Sequence, residues 1–323
     1  MKSKALKLLK IIVPIAIGIY LTWYFFSGMT ALELQDTKDA FFDANYFWIV
    51  ISLLIAWAGH LSRAYRWLFL LEPLGYNPKL VNAYHAVMVG YVINYTVPRS
   101  GEIARAGLMT SYEQIPFEKG FATIIIERMI DVIMLGSIVF ITGVLQSNSS
   151  DFNSIMESNQ EGSGNLKWYI LAGVILAGCI GFIFYLTNEK LQAFANAKLK
   201  GFWEGLKTVW TMKKKWAFIF HTLFIWSSYI GMIWASCMAF PETADLPTEA
   251  ILGAFVVGAA AVALFPGGIG AYPMWVTQVL LIYGVTFKGF GIYIWVVQTS
   301  LLIILGLLSL FLIQRQPKRI QRK

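Results

Sequence analysis

The stretch Asn94–Met109, NYTVPRSGEIARAGLM, decides how the chain is read. It carries Arg99, Glu102 and Arg105 within seven residues, behind Pro98 and around Gly101, although its neighbours are rich in Val, Ile and Leu. Pro98 removes a backbone donor and disfavours helix at Val97, so an apolar helix arriving here must break. A short helix can restart after Ser100-Gly101 with its first N–H groups free. Such ends carry partial positive charge and bind anions, phosphates above all. Arg99 and Arg105 would flank that end, Asn94 adds a polar group before the break, and Glu102 in the first turn can hold an arginine in place. On a solvated cytoplasmic loop the same charges would need no partner. At membrane depth, broken backbone requires a protein-lined or wet cavity.

Composition favours the membrane. Of 323 residues 57% are hydrophobic and 14% charged, against about 25% charged in a soluble domain, and mean hydropathy is +0.61. Runs near residues 8–27, 46–70, 118–146, 166–187, 215–240 and 288–313 each supply about the 20 residues that a spanning helix needs. The first, behind Lys2, Lys4, Lys7 and Lys10, resembles a signal peptide but is too long and lacks a clear cleavage site, so it is read as a retained helix. The net charge of +8 is concentrated in that N-terminal group, in the middle (Lys190 to Lys215) and at the C-terminus (Arg315 to Lys323). Clusters of this kind mark cytoplasmic ends and meet anionic headgroups. Residues 28–45, 147–165 and 241–249 are acidic or lysine-poor and fit the outside. The lysine-rich segment 188–215 reads as a cytoplasmic amphipathic helix lying in the interface, with Phe202, Leu206, Val209 and Trp210 at helical spacing.

Counting crossings then fixes the topology. The first two spans bring the chain back to the cytoplasm at 71–79, and the 118–146 span must end outside. Residues 80–112 must therefore begin and end on the cytoplasmic side, and the same logic makes 250–287 begin and end outside. Each region is interrupted at its centre, at Pro98-Gly101 and at Pro266-Gly267-Gly268-Ile269-Gly270. The predicted fold is an all-α polytopic membrane bundle of about eight segments, two of them broken re-entrant hairpins. It forms a single transmembrane domain over 1–323, built as an inverted repeat of about 1–147 and about 166–315. Interrupted segments at matching positions of two inverted halves are typical of secondary transporters, whose sites lie at the repeat interface.

Three further groups add chemistry. In TIIIERMIDVIM, Thr123, Glu127 and Asp131 fall on one helical face at i, i+4 and i+8, and Arg128 is i+3 from Asp131. Asp131 lies roughly 20 Å along its helix from Glu118 at about 1.5 Å per residue, near or past mid-membrane. Charges at that depth face a cavity or a partner, in a substrate site or a purely structural ion pair. Arg63 and Arg66 sit near the cytoplasmic end of the second span, where snorkelling to the interface is the plain alternative to a site role. Five arginines (63, 66, 99, 105, 128) against Glu102, Glu127 and Asp131 leave +2, suited to an anionic phosphate. LFPGGIGAYP, Leu264–Pro273, offers bare backbone and glycines that adopt positive φ, fitting a hairpin tip or gate at Pro266, Gly267, Gly268 and Gly270.

Other classes lack their signals. There is no HExxH, no GxSxG, no acidic magnesium motif and no phosphate-loop glycine pattern. His60, His85 and His221 are scattered, and Cys179 and Cys237 both lie within apolar runs. No catalytic residue, metal site, cofactor or nucleic-acid partner is expected.

Taken together, GYVINYTVPRSGEIARAGLM, TIIIERMIDVI and FPGGIGAYP resemble the lysylphosphatidylglycerol synthase transmembrane-region family, also called flippase-like membrane proteins, over about residues 5–315. In the larger relatives of that family this region looks like the lipid-translocating half, while a separate soluble domain makes the aminoacyl lipid. This sequence ends at Lys323 without that domain, so lipid synthesis is not expected. The resemblance implies a lipid translocase or lipid-binding transporter that recognises an anionic phosphate headgroup. Asn94, Arg99, Glu102, Arg105, Glu127, Arg128, Asp131, Arg63 and Arg66 would form its site. Anionic phospholipids or polyprenyl-phosphate-linked lipids would be its partners, alongside a homo-oligomer or a separate lipid synthase. The alternatives are a membrane transferase using a lipid-phosphate-linked donor, with Glu127 or Asp131 as base, and a non-catalytic scaffold. The expected location is the bacterial cytoplasmic membrane, with both termini cytoplasmic.

Overall fold

The helices follow from long apolar runs punctuated by proline, glycine and capping residues. A computed structural model describes residues 2–97, 100–147, 201 and 203–317. Among them there is no strand. In chain order the main helices are α1 (Lys2–Ser27), α2 (Ala31–Asp43), α3 (Tyr46–Leu71), α4 (Leu80–Thr96), α5 (Gly101–Glu113), α6 (Phe117–Ser147), α7 (Lys215–Cys237), α8 (Thr248–Leu264), α9 (Ala271–Ile282) and α10 (Gly289–Gln314). Residues 203–211 are also helical. The expected span at 166–187 and most of the 188–215 segment lie outside the described residues.

By length and apolarity alone, Tyr46–Leu74, Lys215–Cys237 and Gly289–Gln314 qualify as membrane spans. Residues Ile15–Ser27 and Ala31–Asp43 add a fourth if that pair, bent by 110°, counts as one. Large apolar side chains point outward along the long helices, for example Val132 and Phe140 on α6 and Ile304 and Phe311 on α10. In water such surfaces would be costly; in lipid they are at home. Residues 28–45, placed outside by their charge and given no helix in the sequence reading, hold α2. Thr30 and Glu33 form a reciprocal capping box at its start, and Lys288 reaches Glu33 at 2.8 Å, tying α2 to the start of α10.

Small side chains let the long helices approach. α3 and α7 run antiparallel: the Ser52 hydroxyl meets Met232 O at 2.8 Å and Ser236 Oγ at 2.9 Å. Gly59 faces Ser228, and Ser62 Oγ meets His221 Nδ1 at 2.8 Å. Seams of Gly and Ser with interhelical hydrogen bonds take the place of the hydrophobic effect inside lipid. α4 packs against α10, with Gly306 against Val92, while α8 packs against α6.

Both interrupted regions are helical hairpins. In the first, α4 and α5 touch backbone to backbone: a Cβ at Gly101 would fall 2.1 Å from Gly90 O. In the second, α8 and α9 are joined by a turn in which Gly267, Gly268 and Gly270 have φ of 59°, 72° and 72°, which only glycine adopts without strain. Pro98 lies outside the described residues.

Candidate functional site

α6 supplies the acids. Glu127 is fully buried and Asp131 nearly so, one turn apart on the face turned toward α3. α3 supplies Arg63 and Arg66, at i and i+3, and α5 supplies Arg105. All three arginines are buried. Arg66 bridges the two acids, with Nη2 3.2 Å from Glu127 Oε1 and 2.9 Å from Asp131 Oδ1, and it donates from Nη1 to Thr222 on α7 at 3.2 Å. Arg63 meets Asp131 at 3.0 Å and stands 3.7 Å from Glu127. Arg105 takes Glu127 two-pronged, at 2.8 and 3.3 Å.

Aromatic rings complete the setting. The Arg105 guanidinium lies 3.8 Å from the centre of the Trp67 ring, a cation–π contact strengthened where water is excluded. The Trp67 indole N–H in turn donates to Thr123 Oγ1 at 2.8 Å, and that hydroxyl donates to Gly120 O. The arginine is thus held from one side by a ring and from the other by a carboxylate.

The three buried arginines and two acids sum to +1. Their arrangement answers the question left at Arg63 and Arg66: neither snorkels. Each is buried and ion-paired, because α7 closes over this part of α3. Arg128, expected to pair with Asp131, stands 3.9 Å from it and makes its close contact with Glu102 at 2.6 Å. Its side chain is 44% exposed, so this second pair forms the outer edge of the cluster. Glu102 thus holds an arginine as expected, but one from α6.

A narrow cleft opens beside the network, lined by Arg63, Val87, Gly90, Tyr91, Asn94, Gly101, Glu102, Arg105 and Arg128. Its volume is about 10 Å³, close to one water-sized sphere. Several groups around it carry buried polar atoms without a hydrogen-bond partner: Nε of Arg63, Nε of Arg105 and Oε2 of Glu102. The two arginine N–H groups can donate to an anion, and the Tyr91 hydroxyl, which meets Tyr229, lines the same cleft. The sequence suggested free N–H groups at the start of α5, but the first of them is taken: Gly101 N donates to Asn94 Oδ1 at 2.7 Å. The break brings the end of α4 back over the start of α5, and the asparagine side chain caps it. Arg99 lies outside the described residues.

The second hairpin tip meets the first half of the chain. Gly267 packs on the Tyr95 ring so closely that a Cβ would overlap it. Trp295 Nε1 donates to Gly267 O at 2.8 Å, and the Tyr95 hydroxyl meets Thr299 Oγ1 at 3.4 Å. Pro266 and Gly268 are buried in the same turn. These residues do not line the arginine cleft, but Tyr95 is the residue after Asn94, so one turn of α4 touches both.

Sequence reasoning missed Trp67, Tyr91 and Thr222. Trp67 is i+4 from Arg63, a spacing that marks a shared face. Tyr91 is likewise i−3 from Asn94 on one helix, whereas nothing local marks Thr222, whose role comes from the packing of a distant helix.

The family model described as lysylphosphatidylglycerol synthase TM region matches residues 11–309. The chain is similar to a UPF0104 membrane protein of Methanocaldococcus jannaschii, with 24% identity over 166 residues, 50% of this chain and 46% of that protein. The match thus takes in less than half the length of that relative. No solved structure matches the chain.

Proposed function

The chain belongs to the lysylphosphatidylglycerol synthase TM region family, and from that premise we propose that it is a lipid translocase that binds an anionic phosphate headgroup at the arginine cleft. The observation that carries this reading is the pair of unpartnered N–H donors on Arg63 and Arg105 at the cleft beside the α4–α5 break. A buried donor without an acceptor costs free energy, and a phosphate oxygen would satisfy it. Arg99, Arg128 and Asn94 join the site in this proposal, while Glu102, Glu127 and Asp131 orient the arginines. The cleft as it stands admits nothing larger than water, so binding requires the hairpin arms to part.

The same reading takes the membrane domain as an inverted repeat of about eight segments. Supporting it, the hairpin arms are 17 and 13 residues in one half and 17 and 12 in the other. The packing also alternates between halves, α4 on α10 and α8 on α6. The termini would face the cytoplasm of a bacterial cell. The cargo would be an anionic phospholipid or a polyprenyl-phosphate-linked lipid, with a homo-oligomer or a separate synthase as further partners.

The test uses proteoliposomes carrying a fluorescent phospholipid and an impermeant quencher. Arg63→Lys and Arg105→Lys keep the charge but lose the fork geometry. Each is expected to slow transbilayer movement by about tenfold or more, the loss of one charge-assisted contact. Wild-type rates in both variants, with unchanged melting, would remove the assignment.

A further inference from the structure

A second cavity shares no lining residue with the arginine cleft. Tyr65, Leu68, Phe69 and Glu72 recur at i, i+3, i+4 and i+7 and present one face at the end of α3. Tyr76, from the following loop, and Lys214, just before α7, complete the wall. The volume is about 140 Å³, on a scale where one water-sized sphere needs about 10–15 Å³. This is therefore a space for a small organic group.

Its lining charges come as one matched pair, with Lys119 standing behind the Tyr76 wall, 5.4 Å from the ring centre. Lys214 Nζ lies 2.9 Å from Glu72 Oε2, with side chains 55% and 42% exposed. The walls are aromatic: Tyr65 and Phe69 stand edge to face at 5.2 Å, with His221 against both. A ligand fitting these groups carries an ammonium for Glu72 and the ring faces, and a phosphate for Lys214. Both charges must lie close together on a small body. A half-exposed ion pair contributes little to stability, so such a zwitterion can part Glu72 from Lys214 at low cost.

The surroundings indicate where it comes from. Leading away from Lys214 along α7, Trp216, Phe220, Leu223 and Phe224 form a stripe at helical spacing, all outward-facing. Trp203 and Trp210, on the preceding helical segment, are also exposed, as at a membrane interface. A soluble zwitterion would leave that stripe unused, whereas an acyl chain would follow it. We infer that this cavity holds the headgroup of a zwitterionic, phosphoethanolamine-type phospholipid, with its ammonium at Glu72, its phosphate at Lys214 and its chains along α7. The site is independent of the arginine cleft and of whatever that cleft carries.

The test is native mass spectrometry of the full chain released from nanodiscs of phosphatidylethanolamine and phosphatidylglycerol in equal amounts. Phosphatidylethanolamine is expected to be retained in preference. Glu72→Gln should weaken its retention about tenfold, the loss of one charge-assisted contact, and leave phosphatidylglycerol unaffected. Lys214→Gln should weaken both. Arg105→Lys should leave phosphatidylethanolamine retention unchanged, and any loss it causes in phosphatidylglycerol belongs to the cleft, which separates this site from failure there. Equal retention of the two lipids by the Arg105→Lys variant, in which the cleft is weakened, or indifference to Glu72→Gln, overturns the proposal. So does binding of soluble phosphoethanolamine that matches the lipid and ignores Phe220→Ala, because the ligand is then not a lipid.

Discussion

Arg66 is where the buried network is most exposed to damage. It has no contact with solvent and holds both acids and Thr222. Removing one partner of a buried ion pair leaves an uncompensated charge at a cost of about 3–5 kcal/mol. Arg66→Ala is therefore expected to destabilise the protein by about that amount. Arg128→Ala, which removes a half-exposed partner of Glu102, should cost under about 1 kcal/mol. Thermal unfolding in mild detergent measures both, and equal losses would mean that the network is not closed as described. The contrast was only half legible in the sequence. The i, i+4 spacing of Glu127 and Asp131 put both acids on one face. The burial of Arg63 and Arg66, however, depends on α7, whose Thr222 lies 156 residues further along the chain. No local pattern distinguishes an arginine covered by a distant helix from one that reaches for the interface.

At the scale of elements, the two hairpins were the most legible feature, because their causes are local. A proline or a run of glycines breaks a helix wherever the rest of the chain goes. Helix α2 was missed for a similar reason in reverse: its acidic surface reads as loop, and only the Thr30–Glu33 capping box signals a helix start. The hairpins also make a sharp demand on small residues. A Cβ at Gly101 would meet the Gly90 carbonyl oxygen at 2.1 Å and Asn94 Cγ at 2.7 Å, and backbone cannot step aside as a flexible side chain can. Gly101→Ala must therefore splay α4 from α5, at a cost typical of overpacking, about 1–3 kcal/mol. Gly136→Ala on α6, where no atom lies within 4 Å, should be neutral or stabilising by up to about 1 kcal/mol through helix propensity. Similar melting temperatures for the two variants would show that the arms of the first hairpin do not touch. Because Gly101 borders the cleft, its variant should also slow lipid movement beyond what its lost stability explains.

At the scale of the whole molecule, the arrangement to be tested is the opposed orientation of the two halves. Charge alternation suggested it, and the matched hairpin lengths and alternating packing of α4 on α10 and α8 on α6 are what an inverted repeat would produce. If the halves are inverted, the ends of the two hairpins open to opposite sides of the membrane. Asn77, just before α4, would then face the cytoplasm, and Asp245, just before α8, would face outward. Single cysteines placed at these positions report the difference, once Cys179 and the buried Cys237 have been replaced by serine or alanine. A membrane-impermeant maleimide applied to intact cells should label Asp245→Cys and leave Asn77→Cys untouched, and inside-out vesicles should reverse the pattern. Labelling of both positions from one side would place the hairpins in parallel. A lipid phosphate held at Arg105 would then face the same solution whichever hairpin opened, and the cluster would be left with only a structural part to play.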